Sequence, residues 1–208
     1  AFFPQAVWLR VIGRLAFPLF SYCIAEGCRY TRNKARYFGS VFACGAVCVI
    51  AFLPFGSFYG NALITLSMSI LLLYGMEAWK SSGKLRFLAL TAALAAVFYL
   101  LCRTVYIDYG FAGVLLPVYA AAGRLLWERV FADIPPVIGE RLGFAIGLLA
   151  LAGVMGGVQR FCVLAIFPIL LLGNERGKWK MKHFFYLYYP AHLALIGALQ
   201  MALEAVAG

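Results

Sequence analysis

The chain has 208 residues, of which 64% are hydrophobic and only 12% charged, and its mean hydropathy is +0.89. Soluble domains carry roughly a quarter of charged residues, so this composition excludes a soluble globule and predicts an all-α, polytopic transmembrane helix bundle. The net charge of +10 does not indicate nucleic-acid binding, because no soluble segment is present to carry a basic face, and we expect the cations to line cytoplasmic loops.

The apolar runs predict about eight spans, packed as a single domain over residues 1–208, since each crossing needs about 20 residues. The predicted spans are Val7 to Cys28, Tyr37 to Leu53, Asn61 to Trp79, Phe87 to Arg103, Phe111 to Trp127, Leu142 to Val158, Phe161 to Leu172, and a last one that begins near Phe184. The seventh is short and contains Pro168, so we expect it to be tilted, broken or only partly inserted.

The first span contains charged side chains at both ends. Arg10 and Arg14 are four residues apart and leave the same helical face, which must point to the bundle interior, a cavity or the outer headgroups. Glu26 lies near the other end of the span. It either pairs with Arg29 or Arg32 or contributes to a functional site.

The middle of the chain carries two structural signals. Asp108 precedes the fifth span, and an aspartate in that position is predicted to cap the helix N-terminus. Gly139, Gly143 and Gly147 recur every fourth residue, a pattern that lets another helix approach closely.

The six cysteines include no CxxC pair, and we interpret them as packing residues and not as metal ligands or disulfides.

The distribution of cations predicts the orientation. Lys and Arg are concentrated in every second loop, counting the residues at the loop edges. There are four after span one, three after span three, three after span five and four after span seven. The loops after spans two, four and six hold only Arg103 and Arg160. Cytoplasmic loops are enriched in Lys and Arg, so Ala1 and Gly208 are both expected outside.

The segment from Lys178 to His192 joins a cationic cluster to an aromatic belt and then to an apolar run. His192 lies eight residues beyond Phe184, roughly 12 Å along a helix that begins there, and is therefore expected inside the bilayer and reached from the cytoplasmic side. An ionisable group at that depth is a functional candidate, and an interhelical hydrogen bond is the alternative.

The residues around His192 allow two interpretations each. Tyr188 and Tyr189 are either belt residues or part of the same site. The neighbouring cations bind either a polyanionic ligand or anionic lipid. These cations are Arg176, Lys178, Lys180 and Lys182.

Two segments at opposite ends of the chain carry a family resemblance. The first runs from Trp8 to Phe20 and continues through Glu26-Gly27 to Thr31-Arg32-Asn33, and the second, from Phe184 to Leu193, contains the pattern FYxxYPxH. The Asp108-Tyr109-Gly110 turn and the loop from Leu172 to Gly177 are also similar. In these motifs the chain resembles the TraX family, named for the F-pilin acetylase of conjugation systems.

The resemblance implies an integral membrane acyltransferase of a bacterial inner membrane. Its donor would be cytoplasmic acetyl-CoA, and its acceptor an amine, such as the N-terminus of pilin, or a hydroxyl of a glycan or lipid. The implied catalytic residues are His192, Arg14 and Glu26. The implied acceptor-binding residues are Arg10, Tyr189 and Asp108, and the donor phosphates would be held by Arg176, Lys178, Lys180 and Lys182.

Family members usually begin with a further helix that carries an Asp-His pair, which is the catalytic base that the resemblance implies. We expect one more helix upstream of Ala1, and the alternative is that this protein lacks that base. The alternative to an enzyme is a non-catalytic channel, transporter or assembly factor that uses the same polar residues for conduction or partner docking. Binding of coenzyme A would distinguish the two. The acceptor and the oligomeric state stay open at this point.

Overall fold

The computed structural model describes residues 7–52, 60–131 and 133–171, together with the single positions Ala191, Leu195, Ala198 and Met201. The helices are α1 (Val7–Tyr30), α2 (Lys34–Phe52), α3 (Ala62–Ser82), α4 (Leu85–Thr104), α5 (Gly110–Val130), α6 (Pro136–Met155) and α7 (Ile166–Leu171). A 3₁₀ helix, Gly157–Ala165, leads into α7. Within the ranges just given, one parallel bridge, between Gly60 and Ile107, is the only β-type pairing.

Six helices, α1 to α6, are long and apolar enough to cross a membrane. This finding confirms the predicted all-α transmembrane bundle, although the described residues contain six such helices and not eight. The predicted seventh span is the 3₁₀ helix followed by the six-residue α7. Gly156 and Gly157, which both have positive φ, lie at the junction between α6 and the 3₁₀ helix, and Pro168 lies within α7. The predicted eighth span lies outside the described residues, apart from its four single helical positions.

The start of α6 differs from the prediction in a way that matters for function. The helix begins at Pro136, six residues before the predicted start at Leu142, because proline is well accommodated in the first helical position. Gly139, Glu140 and Arg141 therefore belong to a helix and not to a loop. Their side chains are placed by the packing of α6.

The contact between α5 and α6 confirms the glycine pattern. A Cβ atom on Gly143 would overlap the carbonyl oxygen of Tyr119, and one on Gly139 would overlap the Cβ of Trp127. From the opposite helix, a Cβ on Gly123 would overlap the carbonyl oxygen of Gly139. Small residues allow this close approach, which packs the second half of α5 against the first half of α6.

The core lies between α1, α3, α5, α6 and the 3₁₀ helix, whereas α4 is peripheral. Phe98 is the one fully buried side chain among the residues of α4, and most of its leucines are exposed, as expected for a helix that faces lipid. The side chains at the centre of the core are fully buried; they include Leu66, Ile70, Leu116, Phe144, Leu148 and Leu151.

Two buried prolines lie inside contacting helices, Pro18 in α1 and Pro117 in α5. Proline has no backbone N–H, so the carbonyl oxygens of Arg14 and Gly113, four residues earlier, lose their usual helical donor. Both carbonyl groups lie towards the end of the bundle where α1 and α5 begin.

Candidate functional site

Charged side chains at the end of the bundle that the cation distribution predicts to be cytoplasmic form a connected network, which we call the inner cluster. It consists of Glu26 and Arg29 from α1, Lys80 from α3, Arg124 and Glu128 from α5, and Glu140 from α6. Arg29 bridges Glu26 and Glu140, at 2.8 Å to each carboxylate. Arg124 contacts Glu140 at 3.1 Å and Glu128 at 3.0 Å. The network ties four helices together.

Glu140 is the centre of the inner cluster, and only 3% of its surface is exposed. A buried carboxylate is costly unless it is paired, and Glu140 accepts hydrogen bonds from both Arg29 and Arg124. The sequence did not single out Glu140, because the position was predicted to lie in the loop after the fifth span. The signal was present, since Glu140 precedes the buried Phe144 by four residues and therefore continues the same helical face.

A cavity of about 460 Å³ opens beside the inner cluster. Its lining combines apolar side chains, among them Leu73, Met76 and Leu125, with charged ones from the cluster. The charged lining residues are Arg29, Lys80, Arg124 and Glu140, together with Glu77. Cavities of roughly 300–1,000 Å³ with mostly apolar walls and a few polar groups are typical small-molecule sites.

A second group of polar residues, the outer cluster, lies at the other end of α1. It consists of Arg14 in α1, Thr65 in α3, Asp108 and Tyr109 in the turn between α4 and α5, and Gln159 in the 3₁₀ helix. The hydroxyl of Tyr109 interacts with the side chains of Arg14 and Gln159. Its ring stacks on Phe17, with the ring centroids 3.6 Å apart and the planes within 7° of parallel.

The backbone of this turn is held by hydrogen bonds to Gly60 and Thr65. The N–H of Asp108 donates to the carbonyl oxygen of Gly60 at 2.7 Å, and the hydroxyl of Thr65 donates to the carbonyl oxygen of Asp108 at 2.6 Å. Tyr109 has a φ of 64°, which is unfavourable for a residue with a side chain and persists only where surrounding contacts hold it. The predicted capping role of Asp108 is wrong, because Tyr109 occupies the cap position of α5 and no side chain caps it.

Burial raises the pKa of the Asp108 carboxyl, and the nearby Arg14 guanidinium opposes that rise. Burial likewise raises the pKa of the Tyr109 hydroxyl, again with Arg14 opposing. The Asp108 carboxylate makes no hydrogen bond or ion pair to any residue in the described ranges.

The structure separates two of the predicted catalytic residues. Arg14 belongs to the outer cluster and Glu26 to the inner one, and twelve residues of α1 correspond to roughly 18 Å between them. Glu26 pairs with Arg29, one of the two alternatives that the sequence allowed. Asp108 lies near Arg14, whereas Arg10 is exposed near the start of α1.

The remaining predicted site residues lie outside the described residues, so their roles stay predictions. They are Tyr189, His192, Arg176, Lys178, Lys180 and Lys182. The sequence analysis also missed Arg124 and Gln159. Arg124 is recognisable afterwards as a cation within the fifth apolar run, but no pattern in the sequence distinguishes Gln159.

Comparisons with known proteins agree on one family. A family model described as "TraX protein" matches residues 1–200. A protein of Dichelobacter nodosus, named "Probable fimbrial assembly protein FimC, serogroup H1", is 28% identical over 220 residues, which cover 94% of this chain and 84% of that protein. No solved structure matches the chain.

Proposed function

The chain belongs to the TraX family, and from this we propose that it is an integral membrane acetyltransferase that acts in pilus or fimbria assembly. The fimbrial assembly role named for the Dichelobacter nodosus relative supports the second part of this proposal. In the reaction, the bond between the acetyl carbonyl carbon and sulfur breaks, and a bond to the acceptor nitrogen forms. The leaving thiolate takes one proton from the acceptor ammonium, and the second proton is released.

The inner cavity is the observation that carries the proposal. The acyl-bearing arm of acetyl-CoA is long, uncharged and amphipathic, with amide groups along an apolar chain. A cavity with apolar walls beside the hydrogen-bonding side chains of Arg29 and Arg124 suits such an arm. The cavity lies at the end of the bundle that the cation distribution assigns to the cytoplasm, where acetyl-CoA is available.

The phosphates of the donor need a separate site, because the charges of the inner cluster balance. Its three acids face three bases, so the cluster offers an anion no net attraction. Exposed cations surround it on the same side. Those in the described part of the chain include Arg32, Arg36, Lys84 and Arg86, and we assign the phosphates to these together with the predicted Arg176, Lys178, Lys180 and Lys182.

Lys80 provides the most direct test of the donor cavity, since it lines the cavity from α3. Replacing Lys80 with alanine removes one base from this balanced cluster and leaves it with a net negative charge, which repels the anionic donor. The KM for acetyl-CoA should therefore rise about tenfold, equivalent to about 1.4 kcal/mol. The measurement is acetyl transfer to a pilin-type peptide by the full chain in nanodiscs, followed by mass spectrometry. Arg103→Ala is the matched control, because Arg103 is an exposed cation at the far end of α4 and does not line the cavity. Equal KM values for wild type and Lys80→Ala would contradict the assignment.

His192 is assigned the role of acid/base, or of orienting the thioester, from its place in the closing motif. We expect His192→Ala to abolish acetyl transfer and to leave expression and coenzyme A binding intact. The readouts are turnover and the thermal shift that coenzyme A induces. Unchanged turnover would rule the role out.

A non-catalytic assembly factor is the second candidate, and the name of the relative is compatible with it. Coenzyme A separates the two functions. An enzyme binds it and transfers the acetyl group, whereas an assembly factor gives no thermal shift and no product.

A further inference from the structure

A smaller cavity of about 250 Å³, which we call the second cavity, lies beside the donor cavity at the same end of the bundle. It is formed where α3 and α5 end, and its lining residues are Trp79, Lys80, Gly83, Leu125, Glu128 and Arg129. Lys80 and Leu125 line both cavities, so the two are adjacent. Half of the lining residues of the second cavity are charged, which suits it to a charged group.

The charges of the second cavity do not balance. Two of its three charged residues are cations and one is an anion, which leaves one net positive charge. Lys80 pairs with Glu128, so the excess charge is that of Arg129. Within the described part of the chain Arg129 makes no ion pair. An anion with a single negative charge therefore complements this cavity.

The donors of the second cavity are arranged to bind such an anion. The guanidinium of Arg129 lies over the ring of Trp79, 5.1 Å from its centroid, and this contact holds the group while leaving its N–H donors available. Lys80 supplies a second cation from α3. Glu128 also pairs with Arg124, at 3.0 Å, so its carboxylate keeps a partner when Lys80 turns to a ligand. Guanidinium and ammonium groups together are typical ligands of phosphate oxygens.

The described residues around the second cavity leave an apolar surface open to lipid. Leu126 and Val130, on the part of α5 that forms the cavity, are 63% and 68% exposed. The peripheral helix α4 packs on α5 through its second half, where Phe98 is buried and the ring of Tyr99 contacts that of Phe111. The first half of α4, which follows the cavity in the chain, has no buried side chain. A ligand bound by its phosphate in the cavity can therefore extend an acyl chain along α5.

We propose that the second cavity binds the phosphodiester group of an anionic phospholipid, with Arg129 and Lys80 donating to the phosphate oxygens. The acyl chains lie along Leu126 and Val130. The phosphodiester of phosphatidylglycerol carries one negative charge, which matches the one uncompensated positive charge. Coenzyme A carries several negative charges, which this cavity does not balance. The lipid site does not depend on the proposed acetyl transfer.

The test is native mass spectrometry of the full chain in detergent, titrated with dioctanoyl phosphatidylglycerol or dioctanoyl phosphatidylcholine. Wild type should bind the first phosphatidylglycerol at least about fivefold more tightly than phosphatidylcholine, because the excess cation repels the choline group. Arg129→Ala should weaken phosphatidylglycerol binding about fivefold, the loss expected for one cation beside an anionic lipid, and should remove the preference. Trp79→Leu should weaken it about threefold, because the guanidinium loses the ring that holds it.

Arg86→Ala is the matched control. Arg86 is exposed at the same end of the bundle, its guanidinium also lies over an aromatic ring, that of Phe87, at 5.0 Å, and it lines neither cavity. The titration contains no coenzyme A, so the assignment of Arg86 to the donor phosphates does not affect it. Phosphatidylglycerol binding should be unchanged in this variant, and thermal unfolding without lipid reports whether each variant is folded. Wild-type binding by folded Arg129→Ala, or equal weakening by Arg86→Ala, would overturn the site.

Two competitors identify the source of the phosphate. Glycerophosphoglycerol, the headgroup without acyl chains, should not displace phosphatidylglycerol, and displacement would show a site for a free phosphate ester and overturn the lipid assignment. If coenzyme A displaces the lipid and Arg129→Ala abolishes coenzyme A binding, the cavity belongs to the donor, so the lipid assignment fails and the enzyme proposal stands. If the lipid binds in an Arg129-dependent way and coenzyme A does not bind, the enzyme proposal fails and the lipid site stands.

Discussion

At the scale of single residues, Glu140 has the largest predicted effect on stability. Glu140→Gln keeps the shape of the side chain but removes the charge that Arg29 and Arg124 share. Because both arginines are partly exposed, we expect the free energy of unfolding to fall by about 1–3 kcal/mol and not by the larger cost of a fully buried pair. Chemical unfolding in detergent measures this change.

The matched control for Glu140 is Glu77→Gln. Glu77 pairs with Lys34, and both side chains are 45% exposed. An exposed pair of this kind contributes about 0.5 kcal/mol or less. Equal losses for the two variants would show that Glu140 does not organise the inner end of the bundle.

Asp108 should make stability depend on pH. Its pKa is raised above the usual value of 3.8, mainly by burial and against the effect of Arg14, so the folded protein binds this proton more tightly than the unfolded chain does. Stability therefore falls as pH rises from about 4 through the raised pKa. Thermal unfolding at a series of pH values should show this fall in the wild type relative to Asp108→Asn. Parallel profiles for the two proteins would contradict it.

At the scale of elements, the packing of α5 on α6 yields a sharp prediction. A methyl group at Gly143 would overlap the backbone of α5, so Gly143→Ala should lower the free energy of unfolding by about 1–3 kcal/mol. Gly153→Ala in the same helix meets open space and should be neutral or stabilising, by up to about 1 kcal/mol. Unfolding of both variants in detergent tests the contrast, and a stable Gly143→Ala protein would refute the close contact.

Hydropathy predicted the six long helices well, because the thickness of the bilayer core sets how many consecutive apolar residues a membrane-spanning helix needs. It could not predict which helices are central. Runs such as α3 and α4 are both apolar, yet residues Thr65 to Ile70 of α3 are buried while α4 faces outward. Lipid and protein interior are equally apolar, so composition does not separate them.

At the scale of the whole molecule, the bundle places its polar groups at two ends with an apolar middle. The expectation that Arg14 and Glu26 serve one site overlooked the rise of a helix, since residues twelve apart on one straight helix cannot meet. The charge pattern of the loops predicted a side for each end, and the family motifs predicted the chemistry. The network around Glu140 and the burial of Gln159 beside Tyr109 arise only from helix packing, which a single sequence does not reveal.

The prolines of α1 and α5 affect the electrical properties of the bundle. Each frees a carbonyl oxygen near the outer cluster, and hydrocarbon contains no donor for it, so we expect water to enter from that side. The inner cavity admits solvent from the opposite side. Only the layer around Leu116, Phe144 and Leu148 then insulates the two compartments. The membrane voltage would then fall across this apolar layer, which is thinner than the bilayer. The electric field in the layer, which is the voltage divided by the thickness, would therefore be stronger than in the surrounding lipid.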